Sequence, residues 1–159
     1  MPHALIVHPH AVIVRAAEWI QDESGIAALR RQVFIEEQGV PEALEWEEVD
    51  AFCRWFVALT QDQQVIGIVR LIDSGQRESV CKIGRMAVRP DWRRCGVGGA
   101  LLDAVLKVAR DAGFGRVELS AQTHAIEFYA GCGFVAEGPE YQDAGIAHRS
   151  MSLALQDIS

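Results

Sequence analysis

The sequence predicts an α+β fold: a mixed, mostly antiparallel twisted sheet of about six to seven strands with helices on both faces. Three observations predict it. Residues 81–121 read as a strand, a long amphipathic helix and a second strand, a crossover that requires one local parallel pair. The strand-like segments on either side of that unit are arranged as antiparallel hairpins. A chain of 159 residues, 50% apolar and 23% charged, suits a single domain over residues 1–159 that needs neither disulfide nor metal to fold.

In chain order, residues 11–17 (AVIVRAA) suit a first strand. Residues 24–38 (SGIAALRRQVFIEEQ) form a helix with Ile26, Leu29 and Val33 on one face, and Gly39 and Pro41 stop it. An acidic loop follows. Residues 54–60 (RWFVALT) and 64–72 (QVIGIVRLI) are apolar, β-branched and aromatic, and the polar turn between them makes a hairpin. Residues 81–89 (CKIGRMAVR) are a further strand, closed by Pro90. From Gly98 to Ala112 the apolar positions include 101, 102, 105, 108, 109 and 112, the stripe of a helix lying on a sheet, with Gly113 as a left-handed C′ residue. Residues 116–121 (RVELSA) return as a strand. A short helix spans about 123–131 and ends near Gly131 and Gly133; residues 133–137 and 146–154 complete the sheet.

Charge is distributed unevenly. Fifteen Lys and Arg against 22 Asp and Glu give −7, and Glu36–Asp50 (EEQGVPEALEWEEVD) holds seven acids and no base, so the other 144 residues sum to zero. No basic stripe appears, which excludes a general nucleic-acid binder. The local acidity favours a cationic partner such as an amine; a solvated loop that aids solubility is the other reading. The four cysteines have no close spacing and the five histidines form no HExxH, so no metal is expected and the thiols are expected reduced, in the cytoplasm. The N-terminus lacks a basic n-region, and His8, Pro9 and His10 interrupt its apolar run, unlike a signal peptide. No apolar run approaches the ~18 residues of a membrane span. Exposed sheet edges and Trp19, Trp46, Trp55 and Trp92 leave room for a homodimer.

The segment Arg89–Leu102 (RPDWRRCGVGGALL) is the most informative. A strand ends, a glycine-rich turn follows and a helix begins. The free N–H groups of a helix's first turn carry partial positive charge. Gly96, Gly98 and Gly99 lack side chains, so a bulky anion can reach those amides, and Arg93 and Arg94 add charge-assisted donors. Such a turn is a phosphate cradle. It lacks the Lys and hydroxyl of a Walker A loop, and GVGGAL does not match GxGxxG. The alternative is a turn that packs a helix closely on a sheet. Cys95 lies inside it, where a helix N-terminus lowers a thiol pKa.

RRCGVGG resembles the R/Q-x-x-G-x-G/A signature of the GNAT acetyltransferase superfamily, with Arg93, Gly96 and Gly98 at the signature positions. AQTHAIEFYAGCGF resembles that family's downstream motif, with Ala125, Tyr129, Gly133 and Phe134 in register and Gln122 in place of the usual Asn. VFIEEQGVP (33–41), IGRMAV (83–88), FY (128–129) and GIAH (145–148) are similar to its ElaA-like branch. The resemblance covers residues from about 30 to 153. It implies splayed central strands and acetyl-CoA as donor. The pyrophosphate would sit on the turn from Arg93 through Cys95, Gly96 and Val97 to Gly98 and Gly99, and the pantetheine arm would pair with Met86, Ala87 and Val88 by strand addition. Gly84 would mark the start of the splay. Gln122 would contact the pantetheine or order water.

Acyl transfer to an amine needs a polarised carbonyl, a neutral amine and an acid for the leaving thiolate. Tyr129 matches the family's acid. A lysine-type amine has a pKa of about 10.4 and needs a base. Where some members carry a Glu, this chain has Lys82, so the base stays open among Glu37, Glu48, Asp50, Glu118, His148 and water. The function implied is direct transfer of an acyl group from CoA to an amine in a ternary complex, without a covalent enzyme intermediate. The alternatives are a non-catalytic acyl-CoA sensor and an enzyme with a longer acyl donor.

Overall fold

The computed structural model describes residues 5–6, 12–73 and 79–155. Eight strands form one sheet: β1 (Leu5–Ile6), β2 (Ile13–Ala16), β3 (Arg54–Leu59), β4 (Val65–Asp73), β5 (Val80–Val88), β6 (Arg116–Gln122), β7 (Val135–Asp143) and β8 (Ile146–Ala154), in the order β1-β2-β3-β4-β5-β6-β8-β7. Seven match the expected count, and β1 adds a two-residue edge. The expected interruption at His8, Pro9 and His10 lies outside the described residues. Among the described residues only β5 and β6 pair in parallel, joined by the crossover helix α3 (Val97–Asp111). The other helices are α1 (Trp19–Arg30), the single turn α2 (Glu42–Glu45) and α4 (Ile126–Gly131).

Helices cover both faces, and β3 shows why. Phe56 and Ala58 belong to the core under α3 and α4, whereas Trp55, Val57 and Leu59 belong to a second core under α1. A strand covered on both sides is apolar at every position, hence the unbroken run in RWFVAL. At the end of α3, Gly113 (φ +89°) donates to the Arg110 carbonyl at 3.0 Å and Phe114 to that of Ala109 at 3.1 Å, the Schellman closure expected from the sequence.

The first helix departs from its expected bounds at both ends. It starts at Trp19 rather than residue 24, because the Asp22 carboxylate accepts the Glu18 N–H at 2.8 Å and closes the first turn. Gly25, inside the helix, is a close approach: a Cβ there would lie 2.6 Å from Val65 Cγ2. Beyond Arg30 the chain widens into a π-helical segment, Arg31–Glu37. The tryptophans form no exposed surface. Trp55 is buried and stacks on Trp19 at 6.1 Å, while Trp46 and Trp92 are half-buried. On the outer edge β7 is interrupted at Gly138–Glu140, where its register against β8 shifts between Glu137 and Tyr141. No described helix is long and apolar enough to cross a membrane.

Candidate functional site

The parallel pairing of β5 with β6 is short. It joins Val80 to Arg116, Cys81 to Val117 and Lys82 to Glu118, and goes no further. β5 stays with β4 as far as Gly67 opposite Val88, and β6 stays with β8 as far as Gln122 opposite His148. The two strands therefore splay, opening a cleft of about 1700 Å³ and leaving one edge of β5 without a strand neighbour. The irregularity in β5 is not at Gly84, as the sequence led us to expect, but one residue on. Arg85 and Met86 together oppose Val69, a β-bulge, and Arg85 has φ +51°. A non-glycine residue is held in this conformation by its own side chain: Arg85 Nε lies 3.1 Å from Glu45 Oε2, and its Nη2 lies 3.1 Å from the Glu45 carbonyl and 3.2 Å from Glu47 Oε1.

The cleft runs to the glycine-rich turn. Met86, Ala87 and Val88 line it, as do Arg93, Arg94, Gly96, Val97, Gly98 and Gly99. Gly96 is the N-cap of α3 at φ +83°, which the missing Cβ permits. The first bond across the turn runs from the Ala100 N–H to the Gly96 carbonyl at 3.1 Å, so the amides just ahead of Ala100 have no helical acceptor. A Cβ on Gly99 would meet nothing within 4 Å, whereas one on Gly98 would lie 3.4 Å from Phe128 Cζ. Gly99 thus leaves open space, and Gly98 gives room to an aromatic ring. Cys95 does not line the cleft; it packs partly into the core, with its thiol donating to the Arg93 carbonyl at 3.5 Å.

Tyr129, Gln122, Glu37 and His148 line the same cleft. Tyr129 is 8% exposed, its ring edge-on to Phe128 at 5.0 Å and Phe134 at 5.8 Å, and burial pushes its phenol up to about 12. Gln122 exchanges two amide hydrogen bonds with Gln38, at 2.8 and 3.1 Å. Glu37 is gripped by Arg93 at 2.6 and 2.7 Å, and that guanidinium holds its carboxyl below the usual pKa, weakening it as a base. His148 is buried, stacked on Tyr141 at 6.1 Å, with Nδ1 2.7 Å from the Ile146 carbonyl. A carbonyl only accepts, so Nδ1 donates, and in the neutral ring the lone pair is on Nε2.

The acidic stretch is largely neutralised within the protein, contrary to the expectation that it would draw in a cation. Glu37 pairs with Arg93, Glu42 with Arg31, and Glu45 with both Arg30 and Arg85. Glu47 pairs with Arg70 and Arg85, and Asp50 with Arg30 and Arg70. Arg30, only 2% exposed, also lies over the rings of Trp46 and Trp55, at 4.8 and 5.1 Å. Asp50 is thereby committed to the core, and Glu48 does not line the cleft.

Ser120, Tyr141, Asp143 and Ser150 line the cleft and were missed from the sequence. On β6, Val117, Leu119 and Ala121 are core residues, while Glu118, Ser120 and Gln122 line the cleft. Tyr141, Asp143, His148 and Ser150 extend that polar wall across β7 and β8, and the hydroxyls of Tyr141 and Ser120 are hydrogen-bonded to each other. The period-two polar face of RVELSAQ was the available signal. Glu118 and Glu137 pair with Arg116. Among the described residues, Asp143 is the one cleft carboxylate with no cationic partner.

Residues 19–155 match the family model described as an acetyltransferase (GNAT) domain. The uncharacterized N-acetyltransferase YjcF of Bacillus subtilis is 34% identical over 144 residues, 89% of this chain and 96% of that protein. An acyl-CoA N-acyltransferase from Pseudomonas aeruginosa superposes with a TM-score of 0.71 at 29% identity, over 85% of this chain and 92% of the other. Escherichia coli ElaA shares the fold, with a TM-score of 0.74 at 23% identity, covering 96% of this chain and 99% of its own.

Proposed function

The chain belongs to the GNAT acetyltransferase family and is an acyltransferase; from that premise we propose that it moves an acetyl group from acetyl-CoA directly to the primary amine of a small molecule or peptide. The observation that carries this reading is the splay of β5 and β6 beyond Lys82 and Glu118, which ends at a glycine-lined helix N-terminus. The residues fit the donor. The space over Gly99 and the amides ahead of Ala100 suit a diphosphate, and Arg94 is exposed with no ion-pair partner among the described residues. The free edge of β5 at Met86–Val88 offers main-chain groups to an extended arm. Met86, Ala87, Val88, Arg93, Arg94, Gly96, Val97, Gly98, Gly99 and Gln122 are the assigned donor contacts. Cys95 contributes through the shape of the turn.

Acetyl-CoA supplies the activated thioester; the protein supplies proton traffic and position. His148 Nε2 is the assigned base. Its lone pair is fixed by the Ile146 contact, it lies on the polar wall, and Glu37, the rival carboxylate, is bound to Arg93. Tyr129 Oη is the assigned acid. A phenol pushed up to about 12 keeps its proton at neutral pH and gives it up only as charge develops on the thiol sulfur. Asp143, on the same wall, receives the charged end of the acceptor.

Thiol release over a panel of primary amines, with mass spectrometry of the product, tests the reading. Turnover with an N-acetylated product supports it. Tight acetyl-CoA binding with no turnover on any amine would return the chain to the non-catalytic sensor, which finds no support among the relatives above.

A further inference from the structure

Glu37 and Gln38 are neighbours in the chain, yet they reach opposite arms of the split. Both Glu37 oxygens hold Arg93, whose Nε donates to the carbonyl of Val88, the last residue of β5, at 3.0 Å. Gln38 exchanges its two amide hydrogen bonds with Gln122, the last residue of β6. The local backbone permits this double reach. The Gln38 N–H bonds the Val33 carbonyl at 3.1 Å, five residues back, and such a wide turn separates successive side chains by a smaller angle than an α-helix does.

Stability does not account for the arrangement. Arg93 and Glu37 are 39% and 41% exposed, and an ion pair so solvated contributes little to folding. The geometry does constrain Arg93. Three of its five N–H donors are engaged by Glu37 and Val88, which fixes the guanidinium beside the turn and leaves two donors free.

We propose that Glu37 and Gln38 form a strap across the β5–β6 split, Glu37 orienting Arg93 toward the donor diphosphate and Gln38 holding the end of β6 at a set distance from β5. Both are positioning residues that act through Arg93 and Gln122. The inference rests on the reading of the cleft as the acetyl-CoA site.

Calorimetry with two donors tests it: acetyl-CoA, and S-acetylpantetheine, which lacks the diphosphate. Glu37→Gln weakens acetyl-CoA binding about tenfold and leaves S-acetylpantetheine unchanged, because it frees the Arg93 Nη groups beside the diphosphate while the Nε bond to Val88 keeps the β5 edge in place. Gln38→Ala weakens both donors by the same factor, Gln38→Glu restores part of the loss through the Gln122 amide, and Gln38→Ala with Gln122→Ala is no worse than either alone. Variants that bind both donors as the wild type does, or a Glu37→Gln that weakens both equally, overturn the strap. A wild-type protein that binds no acetyl-CoA overturns instead the donor reading on which it rests.

Discussion

His148 Nδ1 lies 2.7 Å from the carbonyl oxygen of Ile146, two residues back on the same strand, and this contact leaves Nε2 as the ring nitrogen available to the proposed acceptor. Replacing the imidazole with a methyl removes the proposed base without touching the donor turn. His148→Ala is expected to lower kcat by about 100-fold or more with acetyl-CoA affinity unchanged. Paired thiol-release kinetics and calorimetry check this; wild-type kcat in the folded variant removes His148 from the mechanism.

Tyr129→Phe keeps the ring against Phe128 and Phe134 and removes only the hydroxyl. It is expected to lower kcat by about 10-fold to 100-fold with no loss of donor binding. The sign of the pKa shift adds a second readout. Burial, with Cys132 nearby, raises the phenol from 10.0 to about 12, so the unfolded chain ionises first as the solution turns alkaline. Stability that this group confers is complete below pH 10 and is lost as pH climbs from 10 toward about 12. Thermal melts of the Phe variant are expected to lose that part of the alkaline decline.

The local parts of the site were legible because they are short-range. The turn from Arg93 to Gly99, the C-terminal closure at Gly113 and the register of Tyr129 each sit within one motif, where backbone chemistry dictates residue type. The partnerships were not legible. Glu37 and Arg93 are 56 residues apart, and Gln38 and Gln122 are 84 apart. The acid-only composition of Glu36–Asp50 hid its pairing, because the complementary arginines arrive from α1, β4, β5 and the turn. Arg85 was missed for a different reason: a positive φ at a non-glycine position is paid for by Glu45 and Glu47, and no local pattern records that.

Asp50 ties Arg30 and Arg70 together in the core. Burial raises its pKa, but the Glu47 N–H and the two guanidinium groups outweigh this and hold the carboxyl below its ordinary value of 3.8. The stability it brings is therefore present above pH 3.8 and is lost as pH falls through the lower folded value. Asp50→Ala leaves two buried arginines short of a partner and is expected to cost about 3–5 kcal/mol, measured by urea unfolding at neutral pH. A variant as stable as wild type would show that the network contributes nothing net.

Among the described residues Asp143 is the cleft carboxylate with no cationic partner, and it stands at the β7–β8 tip beside the Tyr141–His148 stack. Asp143→Asn is expected to raise KM for a cationic acceptor about 3-fold to 10-fold, with the effect shrinking at high salt and the acetyl-CoA affinity unchanged. Equal KM values for the charged acceptor in both proteins would place its recognition elsewhere.

The cleanest test of the phosphate cradle uses Gly99 rather than Gly96. Any side chain at Gly96 strains a backbone at φ +83°, so lost binding there would be confounded with lost structure. Gly99 lies in the first turn of α3 with nothing within 4 Å of where its Cβ would stand. An aspartate there complements the helix dipole and improves on glycine's poor helix propensity, so Gly99→Asp is expected to keep or raise Tm. The same carboxylate occupies the space a diphosphate needs and repels it, so acetyl-CoA affinity is expected to fall about tenfold or more. Unchanged donor affinity in a variant with wild-type Tm would show that the anion does not bind at this turn.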